Sequence, residues 1–185
     1  DRILEKCRKL VMEYRMEWPD VRCIGITGQM HGMLYVDANG CAVSPLTTWE
    51  DERGNQPYRE GSTYAQELSA RSGYEMATGY GLTTHFYNLQ NNLVPKQAAF
   101  MTTIMDYVAM RLTGRRHPMT HPTNAASFGL FDIRSGSFDK AACRKAGIDP
   151  AILPEVAPGE SVIGRTADGI EVVIPIGDNQ AGILG

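Results

Sequence analysis

Asp178, between Gly177 and Asn179, is the side chain of this sequence whose setting best suits proton transfer. It follows an apolar run, Val172-Val173-Ile174-Pro175-Ile176, so the order reads as a strand, a glycine turn and a helix start. A carboxylate at that point stands beside free backbone N–H groups, which favour negative charge. It can accept a proton from a substrate hydroxyl. It can equally cap the helix, since Asp caps helices well. Asn179 beside it both donates and accepts hydrogen bonds, which suits hydroxyl recognition.

A second polar cluster is Gln29-Met30-His31, flanked by Gly28 and Gly32. Small flanks let backbone and ligand come close. Gln29 and His31 together offer donors and acceptors for a polyol; a strand-end turn with a satisfied histidine fits the same residues. A third is Trp49-Glu50-Asp51-Glu52-Arg53. A Trp face packs on the C–H side of a sugar, while Asp51 and Arg53 supply paired polar contacts. A solvated charged turn behind a core Trp is the other reading. Asn124-Ala125-Ala126-Ser127 suggests close packing near a cleft, or a plain turn. Asp106, inside an apolar helix, reads as structural. His117 and His121 have the spacing of helical metal ligands, but Pro118 and Pro122 forbid that helix, so no metal site is expected. The sequence holds no Walker loop, G-x-G-x-x-G or nucleophile elbow.

The elements that must position these groups alternate in type. Residues 1–18 carry apolar side chains at 3–4 spacing and predict an amphipathic helix that Pro19-Asp20 ends. Strands are predicted at 21–27, 33–36, 46–49, 127–132 and 171–176. Helices are predicted at 62–72, with Gly73 as C-cap, at 102–112 and at 138–146. Asp37-Ala38-Asn39-Gly40 predicts a hairpin turn, Gly79–Gly81 a turn, and 115–124 a loop. The class is α/β.

Composition bounds the function. With 43% hydrophobic and 21% charged residues and a net charge of −3, the chain has no basic surplus for nucleic acid. It has no apolar run near the roughly 20 residues of a membrane span. Four scattered cysteines without a C-x-x-C pair predict reduced thiols in a cytoplasmic protein. The sequence opens inside a helix, at Asp1, and ends inside another, so both ends read as cuts in a longer protein.

Taken together, G-I-T-G-Q-M-H-G at 25–32, T-T-W-E-D-E-R at 47–53, D-Y-V-A-M-R-L-T-G at 106–114, N-A-A-S at 124–127 and G-D-N-Q-A at 177–181 resemble the FGGY carbohydrate kinases. The match runs in order along nearly the whole chain. Segments 77–87 and 124–132 look most like the sedoheptulokinase branch, with xylulokinase-like enzymes next. The common family pattern carries Lys and Trp where this chain has Phe86 and Leu89, a departure that fits the same branch.

The resemblance implies an actin-like, ribonuclease-H-like kinase domain, incomplete at its N-terminus. Residues 1–185 would form most of the sugar-binding domain. The phosphate-loop strands would precede residue 1, and the nucleotide domain would follow residue 185. It implies transfer of the γ-phosphoryl of ATP, with Mg²⁺, to a hydroxyl of sedoheptulose or a related ketose such as xylulose. Asp178 would be the base. Met30, His31 and Asn179 would touch the sugar, and Trp49, Asp51 and Arg53 would line or brace the pocket. Partners would be the sugar and ATP, with no nucleic acid or membrane and a homodimer allowed. The fragment alone would be inactive. Two rivals stand beside this reading: a non-catalytic sugar sensor derived from a kinase, and an actin-like structural or chaperone ATPase.

Overall fold

The structure, a computed structural model, describes residues 2–59 and 61–184. Asp1 and Gly185, the outer ends of the expected first helix and of the Asp178 segment, lie outside them. Helix α1 (Arg2–Glu17) forms as its spacing predicts. Leu4 is buried, but Leu10, Tyr14 and Trp18 are 51%, 58% and 59% exposed. The expected strand 21–27 becomes two short pieces, β1 (Cys23–Ile24) and β2 (Thr27–Gly28). Strand β3 (Leu34–Val36) runs into the predicted hairpin turn. There Asp37 Oδ1 accepts from the N–H groups of Asn39 and Cys41 at 2.9 and 2.8 Å.

The expected strand 46–49 is reduced to a single bridge, Met33 with Thr47. After it the chain bends, with the Asp51 N–H donating to the Thr48 carbonyl at 3.2 Å, and no ladder can continue. Helix α2 (Tyr64–Ser72) has a capping box between Thr63 and Gln66, and Gly73 closes it in the left-handed region at φ +78°. Helix α3 (Gly81–Gln90) was not expected; it starts without a side-chain cap and is buried on most sides. Strand β4 (Phe100–Thr102) takes the first residue assigned to the helix at 102–112. The helix itself, α4 (Ile104–Leu112), starts one residue after its N-cap, Thr103.

The loop 115–124 and the strand 127–132 are both corrected. The segment holds β5 (Met119–Thr120), then α5 (Pro122–Phe128), then β6 (Phe131–Asp132). Pro122 starts α5, where its missing N–H costs nothing and its φ is preset. The His121 Nδ1 caps it by accepting from the Thr123 N–H at 3.2 Å. Next come β7 (Ser137–Phe138) and α6 (Lys140–Lys145), so the expected helix at 138–146 begins later, behind the N-cap Asp139. The chain ends with β8 (Glu155–Val156), β9 (Val162–Arg165), β10 (Glu171–Val173), β11 (Ile176–Gly177) and α7 (Asp178–Leu184).

Two pairings matter for function. Strand β1 pairs parallel with β10, and β2 parallel with β11, in the register Thr27–Ile176 and Gly28–Gly177. Strand β3 pairs antiparallel with β4. The largest core packs Tyr35, Leu68, Leu82, Phe86 and Phe128, each under 2% exposed, between β3 and helices α2, α3 and α5. Burying a side chain of this size contributes roughly 1.5–3 kcal/mol. No helix among the described residues is long and apolar enough to cross a membrane.

Asp106, read as structural, is buried on α4. Burial pushes its carboxyl up to about 7, against contacts with Thr120, Thr103 and Asn124 that pull it down. A raised carboxyl favours the protonated native state. Its contribution is complete below the unfolded value near 4 and is lost as pH rises through 7. The buried His85, pushed down to about 4 by desolvation, works the opposite way between about 4 and about 6.5 and is the same in both proteins, so the difference between wild type and variant isolates Asp106. Relative to wild type, Asp106→Asn is therefore expected to lose less stability as pH rises from about 4 to about 7. Urea unfolding at both ends of that window checks it, and an unchanged slope refutes the assignment.

Candidate active site

Parallel pairing of β2 with β11 brings the two polar turns side by side. Both leave the same end of their strands, Gln29-Met30-His31 after Gly28 and Asp178-Asn179 after Gly177. In open α/β sheets this carboxyl end is where ligands bind. The approach is close: a Cβ on Gly177 would lie 2.6 Å from the Met30 Sδ and 2.5 Å from the Gln180 Oε1. Glycine at 177 therefore lets the Met30 side chain sit against the strand.

Asp178 is exposed, in the first turn of α7. Its Oδ1 accepts from the Asn179 N–H at 2.9 Å, which orients the carboxylate without burying it. It is thus both the first residue of the helix and available to solvent, so cap and base are not exclusive. Asn179 is exposed beside it.

His31 has φ +70°, a left-handed conformation rare for a residue with a Cβ. Its N–H donates to the Ser127 Oγ at 3.1 Å, and its Nδ1 lies 2.9 Å from the Ser127 carbonyl. The imidazole stacks flat on Tyr80, with centroids 4.8 Å apart and planes 7° from parallel. Met30 is buried and Gln29 half-buried. A cavity of about 430 Å³ opens beside this turn, lined by Met30, His31, Thr123, Ser127 and Gln180.

Trp49 is 56% exposed, and its backbone abuts Gly79, the residue before Tyr80. That contact brings the tryptophan segment next to the stacked pair. Asp51 and Arg53 are turned to each other, with the Arg53 Nε 2.7 Å from Asp51 Oδ1. The Arg53 Nη1 donates to the Asn88 Oδ1 at 2.6 Å. The Asn88 Nδ2 donates to the Tyr35 hydroxyl at 3.2 Å, which lies 2.8 Å from the His85 Nδ1. Burial pushes the Tyr35 hydroxyl up to about 12 and His85 down to about 4, so this chain is uncharged beyond Arg53. The neutral Tyr35 hydroxyl thus faces the Nδ1 of a neutral imidazole. Asp51 and Arg53 brace a loop against β3 and α3.

Sequence reasoning did not single out Tyr80, Gln180 or Asn88. Tyr80 stands between Gly79 and Gly81, the same small-flank pattern that drew attention to residues 29–31. Among the described residues no three His, Cys, Asp or Glu side chains gather as metal ligands.

Comparison with known proteins follows the same lines. Residues 1–185 match the N-terminal domain of the FGGY family of carbohydrate kinases. Mouse sedoheptulokinase is 36% identical, the match covering 91% of this chain and 39% of that protein. Human sedoheptulokinase is 33% identical, with coverages of 86% and 37%. Among solved structures, a kinase from Brucella ovis described as a xyloylose kinase superposes with a TM-score of 0.77 at 22% identity, covering 96% of this chain and 38% of that one. Plasmodium falciparum glycerol kinase with ADP gives 0.71 at 23% identity, covering 88% and 35%. The chain thus spans under two-fifths of the length of the sedoheptulokinases it matches. The fold is the actin-like, ribonuclease-H-like α/β fold of these sugar kinases, and the chain belongs to the FGGY family of carbohydrate kinases.

Proposed function

We propose that the protein transfers the γ-phosphoryl of ATP to a hydroxyl of a ketose, with sedoheptulose or a related ketose such as xylulose as acceptor. The observation that carries this reading is the β2–β11 register. It places an exposed carboxylate, Asp178, beside a polar turn whose histidine is stacked and hydrogen-bonded into position. A lone acid, a donor-rich turn and an exposed Trp49 suit a polyol better than a filament contact, which favours a sugar enzyme over an actin-like structural ATPase. The exposure of Asp178 favours catalysis over a sugar sensor, where a base has no task.

In the proposed mechanism the sugar sits over the 29–31 turn. Met30 and His31 contact it, Gln29 and Asn179 hydrogen-bond its hydroxyls, and Trp49 packs on its C–H face. Asp51 and Arg53 hold the tryptophan loop. The attacking oxygen bonds to Pγ as the bond from Pγ to the ADP oxygen breaks, and its proton passes to the Asp178 carboxylate. Phosphoryl transfer has a loose transition state, so in-line positioning supplies most of the rate and the base acts late. Mg²⁺ would accompany ATP and neutralise charge on its phosphates during transfer.

Residues 1–185 form, in this proposal, most of the sugar-binding domain. The phosphate-loop strands lie before them and the nucleotide domain after. Among the described residues β1 pairs only with β10, and α1 leaves Leu10, Tyr14 and Trp18 exposed; both support that arrangement. The 185 residues alone are then expected to bind sugar without turning over ATP. An ADP-release screen of the full-length protein across sedoheptulose, xylulose, ribulose and glycerol tests the proposal. Ketose-dependent release supports it; none with any sugar, from a folded protein that binds ATP, rejects it.

A further inference from the structure

Both turns of the proposed site hang on α5. The Ser127 Oγ, 3% exposed, accepts from the His31 N–H at 3.1 Å and donates to the Asn124 carbonyl at 2.7 Å. One turn earlier, Asn124 is fully buried, and its Nδ2 donates to the Pro175 carbonyl at 3.0 Å. The Thr123 Oγ1 accepts from the Gly177 N–H at 3.4 Å. These bonds end on the backbone immediately around the polar turns. The β2–β11 ladder itself covers two residue pairs and stops at Gly28 and Gly177, before either chemistry-bearing side chain. Past Gly28, α5 ties His31; on the other strand its bonds fall on Pro175 and Gly177, at and just before the end of the ladder. The helix also holds His31 in a left-handed conformation that a residue with a Cβ avoids unless its surroundings fix it.

We infer that Ser127 and the Thr123–Asn124 pair are positioning residues, and that α5 fixes the separation between His31 and Asp178. The inference rests on the reading of His31 as a sugar contact and Asp178 as the base. Ser127 acts on sugar binding through His31. Thr123 and Asn124 act on turnover through the backbone ahead of Asp178. Buried Asp106, 3.4 Å from the Asn124 Nδ2, anchors that asparagine from α4.

The test uses the full-length protein with Ser127→Ala and, for the other turn, Thr123→Val, which removes a hydroxyl while keeping the shape. Amide hydrogen exchange is read first, because it needs no substrate. Ser127→Ala is expected to speed exchange of the His31 amide about 3- to 10-fold, the worth of one hydrogen bond, and to leave Gly177 alone. Thr123→Val is expected to do the reverse. With the ketose that supports turnover, Ser127→Ala should raise the sugar KM by about the same factor with kcat nearly kept. Thr123→Val should lower kcat with the sugar KM nearly kept. Exchange unchanged at both amides, or raised evenly over the whole domain in both variants, overturns the inference. If exchange responds as expected but wild type turns over no sugar, the functional reading fails and the clamp stands. If wild type is active and exchange does not respond, the clamp fails and the function stands.

Discussion

Asp178→Asn in the full-length protein is expected to keep sugar affinity close to wild type and to lose about 10²- to 10⁴-fold in turnover, the usual worth of a general base. The asparagine retains the size of the side chain and an oxygen that can still accept from the Asn179 N–H. Since Asp178 is exposed, its replacement leaves no buried group unpartnered, and stability should hardly move. The three readouts therefore separate cleanly. Titration calorimetry gives the sugar affinity, coupled ADP release gives kcat, and a melt gives stability. Sugar-dependent ADP release at the wild-type rate would sink the assignment of the base. A loss of stability instead would return Asp178 to the role of a helix cap.

Gly79→Ala is expected to be among the most damaging single changes in the domain. Gly79 has φ +81°, where a Cβ costs about 1–2 kcal/mol. That Cβ would also lie 2.2 Å from the Trp49 carbonyl oxygen, a backbone atom with no rotamer to change. Overpacking of this kind costs about 1–3 kcal/mol more. Relief requires moving either the tryptophan loop or Tyr80, so the sugar KM should rise together with the loss of stability. Gly73→Ala is the control. Its φ of +78° is nearly the same, but nothing lies within 4 Å of the added carbon. It should show the backbone cost alone and an unchanged KM. Equal losses in the two variants would mean that the Trp49 contact does not matter.

The motifs were legible in the sequence because glycine-flanked polar turns declare themselves without tertiary context. What stayed hidden depends on partners distant along the chain. The sequence of α5 reads as a loop and then a strand because Pro122 looks like a breaker, whereas at the first helical position a proline is a start signal. Helix α3 is hard to read because Thr83, Thr84, His85 and Asn88, polar residues that it buries, mask the helical spacing of Leu82, Phe86 and Leu89, and no side chain caps its start. The 46–49 strand was expected from local composition, yet a bend after Thr47 leaves it one bridge long. At the site, Asp51 and Arg53 were visible as a charged cluster. That they face each other and lean on Asn88 required α3 to be in place. Tyr80 joined the site through its stacking on His31, a contact between segments with no shared periodicity.

The pairing of Thr27 with Ile176 has a kinetic corollary. Local elements such as α2 with its capping box can form early, but this pair closes a loop that encloses most of the chain, at an entropic cost that contacts inside the loop must first reduce. The meeting of the two polar turns is therefore expected to come last during refolding. A nascent polypeptide still short of Gly177 would have a folded interior and no assembled centre.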